Sequence, residues 1–222
     1  MSKLRELLDQ LKLVIKGKTI DALAPAIIFT IINGIFGLFY AVITALITAS
    51  LILVIRIINK SNIKYSLAGL LIVIIAAGLA YFSGNAANYY LPSILNNLFI
   101  FIVAIVSILI KKPIAALTSH LSRGWDFDWY LRKDILPAYI EVSIIWAGFF
   151  LIRAFIQMRL YIGGNVEGLG FINILLSLPF TIIILLISYI YGLWRLRNLG
   201  GPSIEEHKDD KPPPWEGQKL GF

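Results

Sequence analysis

Two charges stand inside one long apolar stretch. Residues 136–161 read LPAYIEVSIIWAGFFLIRAFIQMRLY, with Glu141 and Arg153 inside the run. A charge held at membrane depth is expensive, so it marks either a functional group or a well-partnered one. On a helix these two are twelve residues apart, about 18 Å along the axis and about 120° around it. They cannot pair, and each needs its own partner. Arg153 shares a face with Trp146, Phe150 and Gln157. Asn33, Asn96, Asn97, Asn173 and Ser177 sit at similar depth in other apolar segments. These residues would suit a polar pocket opening outward, with Arg153 receiving an anionic or polar ligand. The alternative is that Arg153 satisfies helix carbonyls and amides, or snorkels to the surface. Glu141 lies near the depth of Arg56, Lys111 and Arg195, which points to an ion pair there, with a proton relay as the other reading.

Other chemistry finds little support. His120 and His207 are far from any carboxylate cluster with metal-ligand spacing. There is no H-E-x-x-H, G-x-S-x-G or phosphate-cradling glycine loop. Asp126 and Asp128 form a D-x-D that could hold a divalent cation with a phosphate, but the flanking Trp125, Phe127, Trp129 and Tyr130 suit a loop at the headgroup level. With no cysteine in the chain, disulfides and thiolate metal sites are excluded. No catalytic residue, metal site or cofactor is therefore expected.

The elements that must position these side chains are membrane helices. Hydrophobic residues make up 58% of 222, well above a soluble domain's share. Apolar runs divided by glycine, proline and lysine predict six crossings, at about 20–35, 38–58, 65–82, 92–110, 136–161 and 170–194. The fold class is an all-α membrane protein, a six-helix bundle over residues 20–196. Residues 1–18 predict an amphipathic interfacial helix, with Leu4, Leu7, Leu8 and Leu11 on one face and Lys3, Lys12 and Lys16 free to meet anionic lipid. Residues 197–222 are polar and proline-rich and predict a disordered cytoplasmic tail. Gly69, Ala76, Ala77, Gly78 and Ala80 permit close backbone approach in the third helix.

Orientation follows from the basic residues. With both termini in the cytoplasm, every Lys and Arg except Arg153 and Arg159 lies on that side or at a helix end facing it. The net charge of +7 thus reflects membrane topology, and nucleic acid is not an expected partner.

The run from Ala24-Pro25 to Phe29, the Lys111-Lys112-Pro113 exit from the fourth helix, and Trp146 to Phe150 with Arg153, Gln157 and Tyr161 resemble an actinobacterial integral membrane family of unknown function. More distantly, the layout is similar to the intracellular septation protein A family. The resemblance covers roughly residues 20 to 196 and implies a bacterial plasma membrane and a part in envelope upkeep; it carries over no catalytic residue. Two functions are left open. One is a non-enzymatic envelope protein acting through lipid or protein partners, or as a homo-oligomer. The other is a small transporter or channel for a polar or anionic solute at Arg153.

Overall fold

Glycine and proline divide an otherwise continuous apolar chain. A computed structural model describes residues 18–60, 63–219 and 221–222. Its helices are α1 (Lys18–Phe36), α2 (Leu38–Ile58), α3 (Lys64–Ser83), α4 (Leu91–Leu109, entered through a 3-10 turn at Ala86–Tyr90), α5 (Ile114–Arg123), α6 (Phe127–Tyr130), α7 (Leu136–Ile162), α8 (Val166–Leu175), α9 (Leu178–Leu199) and α10 (Ile204–Lys208). The described residues contain no strand. The expected interfacial helix lies outside the described residues but for Lys18.

Among the described residues, five segments are long and apolar enough to cross a membrane: α2, α3, Ala86–Leu109, α7 and the run Val166–Leu199. Where the first of the six crossings is expected, α1 is a 19-residue helix that carries the apolar run Leu23–Phe36. Gly37 stops it, with φ 83 and ψ 178, a backbone region open to glycine almost alone. The last expected helix, 170–194, is two helices. Pro179 has no amide hydrogen and its ring crowds the carbonyl four residues back, so α8 ends at Leu175 and α9 restarts at Leu178.

The chain divides into two compact units. The first holds the residues up to Asn96 together with Arg153–Ile182. In it α1 packs on α2, α3 and α8, and α2 packs on α3. Ala41, Ala45 and Ala49 of α2 and Ala76, Ala77 and Ala80 of α3 are buried, while Ile47, Leu51, Leu71 and Ile75 are exposed. Gly69 and Gly78 have no tight neighbour; the small residues that α3 buries are the alanines. Phe29 stacks on Tyr89 with ring centroids 3.8 Å apart, and Thr30 hydrogen-bonds the Tyr90 hydroxyl. Gly170 lets α8 come close to Thr30, since a Cβ there would sit 2.4 Å from Thr30 Oγ1.

The second unit holds Asn97–Ile152 and Ile183–Phe222. Its core gathers Trp129, Tyr130, Ile135, Tyr139, Val142, Leu196 and Ile204. Of the four aromatics expected at headgroup level, Trp125 and Phe127 are half-buried, and Trp129 and Tyr130 are fully buried within this unit. Each polar tip finds a partner, which is what lets such rings leave water. The Trp129 indole donates to the Pro202 carbonyl at 2.9 Å, and the Tyr130 hydroxyl donates to Ser119 Oγ at 3.1 Å.

Within the stretch 197–222, for which the sequence predicts a disordered tail, the described residues carry defined local structure. Ser203 and Glu206 form a capping box on α10. The Glu206 carboxylate accepts the amides of Ser203 (2.8 Å), Glu216 (2.8 Å) and Gly217 (3.2 Å). Phe222 stacks on Tyr139 at 4.4 Å, and its carbonyl accepts from Arg123 Nε at 3.2 Å. The backbone amides donated to Glu206 pull its carboxyl down to about 2 from an ordinary 4.5. A depressed carboxyl stabilises the folded segment fully above the unfolded value, and that contribution fades as pH falls from about 4.5 towards about 2. Hydrogen exchange of the Ser203, Glu216 and Gly217 amides should therefore lose protection across that window in the native chain. Glu206→Gln should be weaker at neutral pH and lack that step. An equal acid step in Glu206→Gln would assign the titration to another group.

Candidate functional site

The residues of α7 from Arg153 onward set the site, because a four-residue step keeps Arg153, Gln157 and Tyr161 on one helix face. Asn173 comes to them from α8 and Ser93 from the first turn of α4. All belong to the first unit. The Asn173 Oδ1 atom accepts three hydrogen bonds, from Ser93 Oγ (3.1 Å), Arg153 Nη2 (3.1 Å) and Gln157 Nε2 (3.2 Å). Gln157 Nε2 also donates to Ser93 Oγ at 3.3 Å. A carbonyl oxygen offers two lone pairs, so three donors here compete for one acceptor. Gln157 is wholly buried, and Arg153 Nε is buried without a hydrogen-bond partner. The arrangement is rich in donors, carries a cation, and has room in its hydrogen-bonding capacity for an anionic oxygen.

A second polar chain continues along the same face. The Tyr161 hydroxyl donates to Asn88 Oδ1 at 2.6 Å, and Asn88 Nδ2 donates to Ser83 Oγ at 2.7 Å. Sequence reasoning missed Asn88 and Ser93. For Ser93 the available signal was its place one helical turn before Asn96 and Asn97, in the opening turn after Pro92.

Three expected members, Ser177, Asn96 and Asn33, make none of the hydrogen bonds described for this cluster. The Ser177 hydroxyl donates to the Ile174 carbonyl of the preceding turn at 2.9 Å. Asn96 is exposed, whereas its neighbour Asn97 is buried and belongs to the second unit; successive helix residues diverge by about 100°. Asn33 is half-buried on α1, and its side chain makes none of these hydrogen bonds.

Glu141 has its own partners in the second unit. Its carboxylate takes Arg195 Nε (2.8 Å to Oε2) and Arg195 Nη2 (2.9 Å to Oε1) as a two-pronged ion pair, and the Tyr191 hydroxyl donates to Oε2 at 2.7 Å. Arg195, one of the three basic residues matched to Glu141 by depth, meets it. The D-x-D pair is used locally, since Asp126 Oδ1 accepts the Asp128 amide at the start of α6. His120 Nδ1 lies 2.6 Å from the Trp125 carbonyl.

No curated protein and no solved structure matches this chain. Residues 16–195, which contain every side chain of the polar cluster, match the family model described as protein of unknown function (DUF3159), and the chain belongs to that family.

Proposed function

We propose that this multi-spanning membrane protein binds an anionic or polar solute at Arg153, as a small transporter or channel without a cofactor. One observation carries the reading. A guanidinium within a membrane helix has a buried Nε with no partner, no ion pair to any described carboxylate, and neighbours that are themselves donors. Burying a cation this way is costly, and an anionic group would complete it. Both termini lie in the cytoplasm of a bacterium in this proposal, supported by the Lys and Arg asymmetry.

The second reading is a non-enzymatic role in envelope upkeep through lipid or protein partners, of the kind the likeness to intracellular septation protein A implies. Complete burial of Gln157 favours it, because a sealed amide is also what structural glue between helices looks like.

Arg153→Gln separates the two. Removing an arginine from a membrane helix relieves an insertion cost of about 2.5–3.5 kcal/mol, so a ligand site predicts a variant of normal abundance and melting temperature. Its stabilisation by chloride, sulfate, phosphate and acetate should vanish, and wild-type protein should be stabilised by at least one of them. An Arg153→Gln protein that loses abundance, with no anion effect in the wild type, supports the structural role instead.

A further inference from the structure

A guanidinium meets a carboxylate edge to edge, and the second unit shows which edge this chain uses. Arg195 gives Glu141 its Nε and Nη2 atoms together, at 2.8 Å and 2.9 Å. In Arg153 the same two atoms are divided. Nη2 reaches Asn173 Oδ1 at 3.1 Å, while Nε is buried with no hydrogen-bond partner. An amide oxygen holds one prong of the fork, and the other prong is empty-handed.

The count of donors and acceptors narrows the ligand. Ser93 Oγ, Gln157 Nε2 and Arg153 Nη2 converge on Asn173 Oδ1, and Arg153 Nε is a fourth donor beside them. A carboxylate presents about four lone-pair sites on two oxygens, whereas the amide oxygen presents two. A halide has no second oxygen for the fork. Sulfate or doubly charged phosphate brings more charge than one guanidinium neutralises, and surplus charge in a dry site is costly. Arg159, the next cation along α7, is exposed and six residues on, so it stands on another face.

We infer, on the reading of Arg153 as a solute site, that the solute is a small monocarboxylate held by the Nε and Nη2 edge, and that Asn173 occupies this edge until the solute arrives. One carboxylate oxygen replaces Asn173 Oδ1 as the acceptor for Arg153 Nη2, Gln157 and Ser93. The other oxygen takes the buried Nε. Asn173 is placed to give way, because it stands in the last turn of α8, beside the break before α9. Broken membrane helices recurrently carry solute sites. Asn173 thereby sets specificity. A solute must outcompete an amide oxygen for the arginine, which a charged two-oxygen group does and a neutral carbonyl does not.

The test is thermal melting of the full chain in detergent micelles at neutral pH, in sodium acetate, chloride or sulfate at equal ionic strength. Each shift is read against Arg153→Gln in the same salt, which removes the general action of salts on stability. Acetate should raise the wild-type melting temperature most. Arg153→Lys keeps the charge without the planar fork, so acetate should lose its lead over chloride there. Asn173→Asp supplies the same edge with a carboxylate from within the chain. In chloride alone it should melt at or above the temperature that wild type reaches in acetate. Its apparent acetate affinity should fall about tenfold or more, as when a hydrogen bond to a charged group is lost. If Arg153→Lys does not fold, Asn173→Asp carries the test. Acetate no better than chloride in wild type, an undiminished acetate lead in Arg153→Lys, or an intact acetate response in Asn173→Asp would overturn the inference. A chloride or sulfate effect that Arg153→Gln lacks would then leave Arg153 as the site of another anion. Identical shifts in wild type and Arg153→Gln in every salt would remove the solute site itself.

Discussion

Replacing Trp129 with Ala should destabilise the second unit by about 3–5 kcal/mol, the range for removing a wholly buried indole. Trp129 is 0% exposed, and its ring meets Trp125 at 5.6 Å, Tyr130 at 5.1 Å and Tyr139 at 6.2 Å, all nearly edge to face. Truncation also leaves the Pro202 carbonyl without its donor. The damage should therefore travel to α10 and the segment after it, which follow Pro202 directly. Trp129→Phe keeps most of the apolar contact and loses only the hydrogen bond, so its cost should be about 1–3 kcal/mol. Unfolding in micelles, followed together with protease cleavage beyond Pro202, would measure both. A Trp129→Ala protein within about 1 kcal/mol of wild type, with its end still resistant to protease, would mean the segment does not depend on this anchor.

Glu141→Ala should be the next largest loss. Four hydrogen bonds to one carboxylate disappear, and Arg195 keeps its charge without a counter-ion. Both side chains are about 30% exposed, so the 3–5 kcal/mol of a fully buried pair is too much. About 1.5–3 kcal/mol is the fitting range for hydrogen bonds to a charged group. Adding Arg195→Ala should recover part of the loss, because the orphaned cation goes with it, and the double-mutant cycle should show a coupling above about 0.5 kcal/mol. Strictly additive losses would show that the pair seen in the structure contributes nothing to stability, as many exposed pairs do.

The polar cluster was legible where depth and helix phase agree. Arg153 and Gln157 follow a four-residue step, Asn173 stands at the same depth, and the three meet. Ser177 also shares that spacing with Asn173, but a serine hydroxyl in a helix can turn back to its own carbonyls, and periodicity cannot see that choice. Asn96 and Asn97 are adjacent in sequence and opposite in environment, one exposed and one buried, because successive helix residues diverge by about 100°. The structure of residues 201–219 was illegible for a different reason. It rests on a capping box and on backbone amides converging on Glu206, and such polar closures leave no apolar period to read. The buried aromatic loop was missed because its two indispensable partners, Pro202 and Ser119, are 73 and 11 residues away in the chain.

The seam of α2 and α3 has a thermodynamic consequence. Alanines meet along it while isoleucines and leucines point outward, the reverse of a helix pair that folds in water. If acyl chains surround the pair, parting it exchanges alanine contacts for lipid contacts, and no apolar surface reaches water. Hydration of apolar surface is what gives unfolding its heat-capacity increment, so separating α2 from α3 should have almost none. The enthalpy of that separation should then hardly vary with temperature, and cooling should not loosen the pair. The Trp129 core, where unfolding would wet buried rings, should behave in the opposite way, so one chain combines a part that cold can weaken with a part that it cannot.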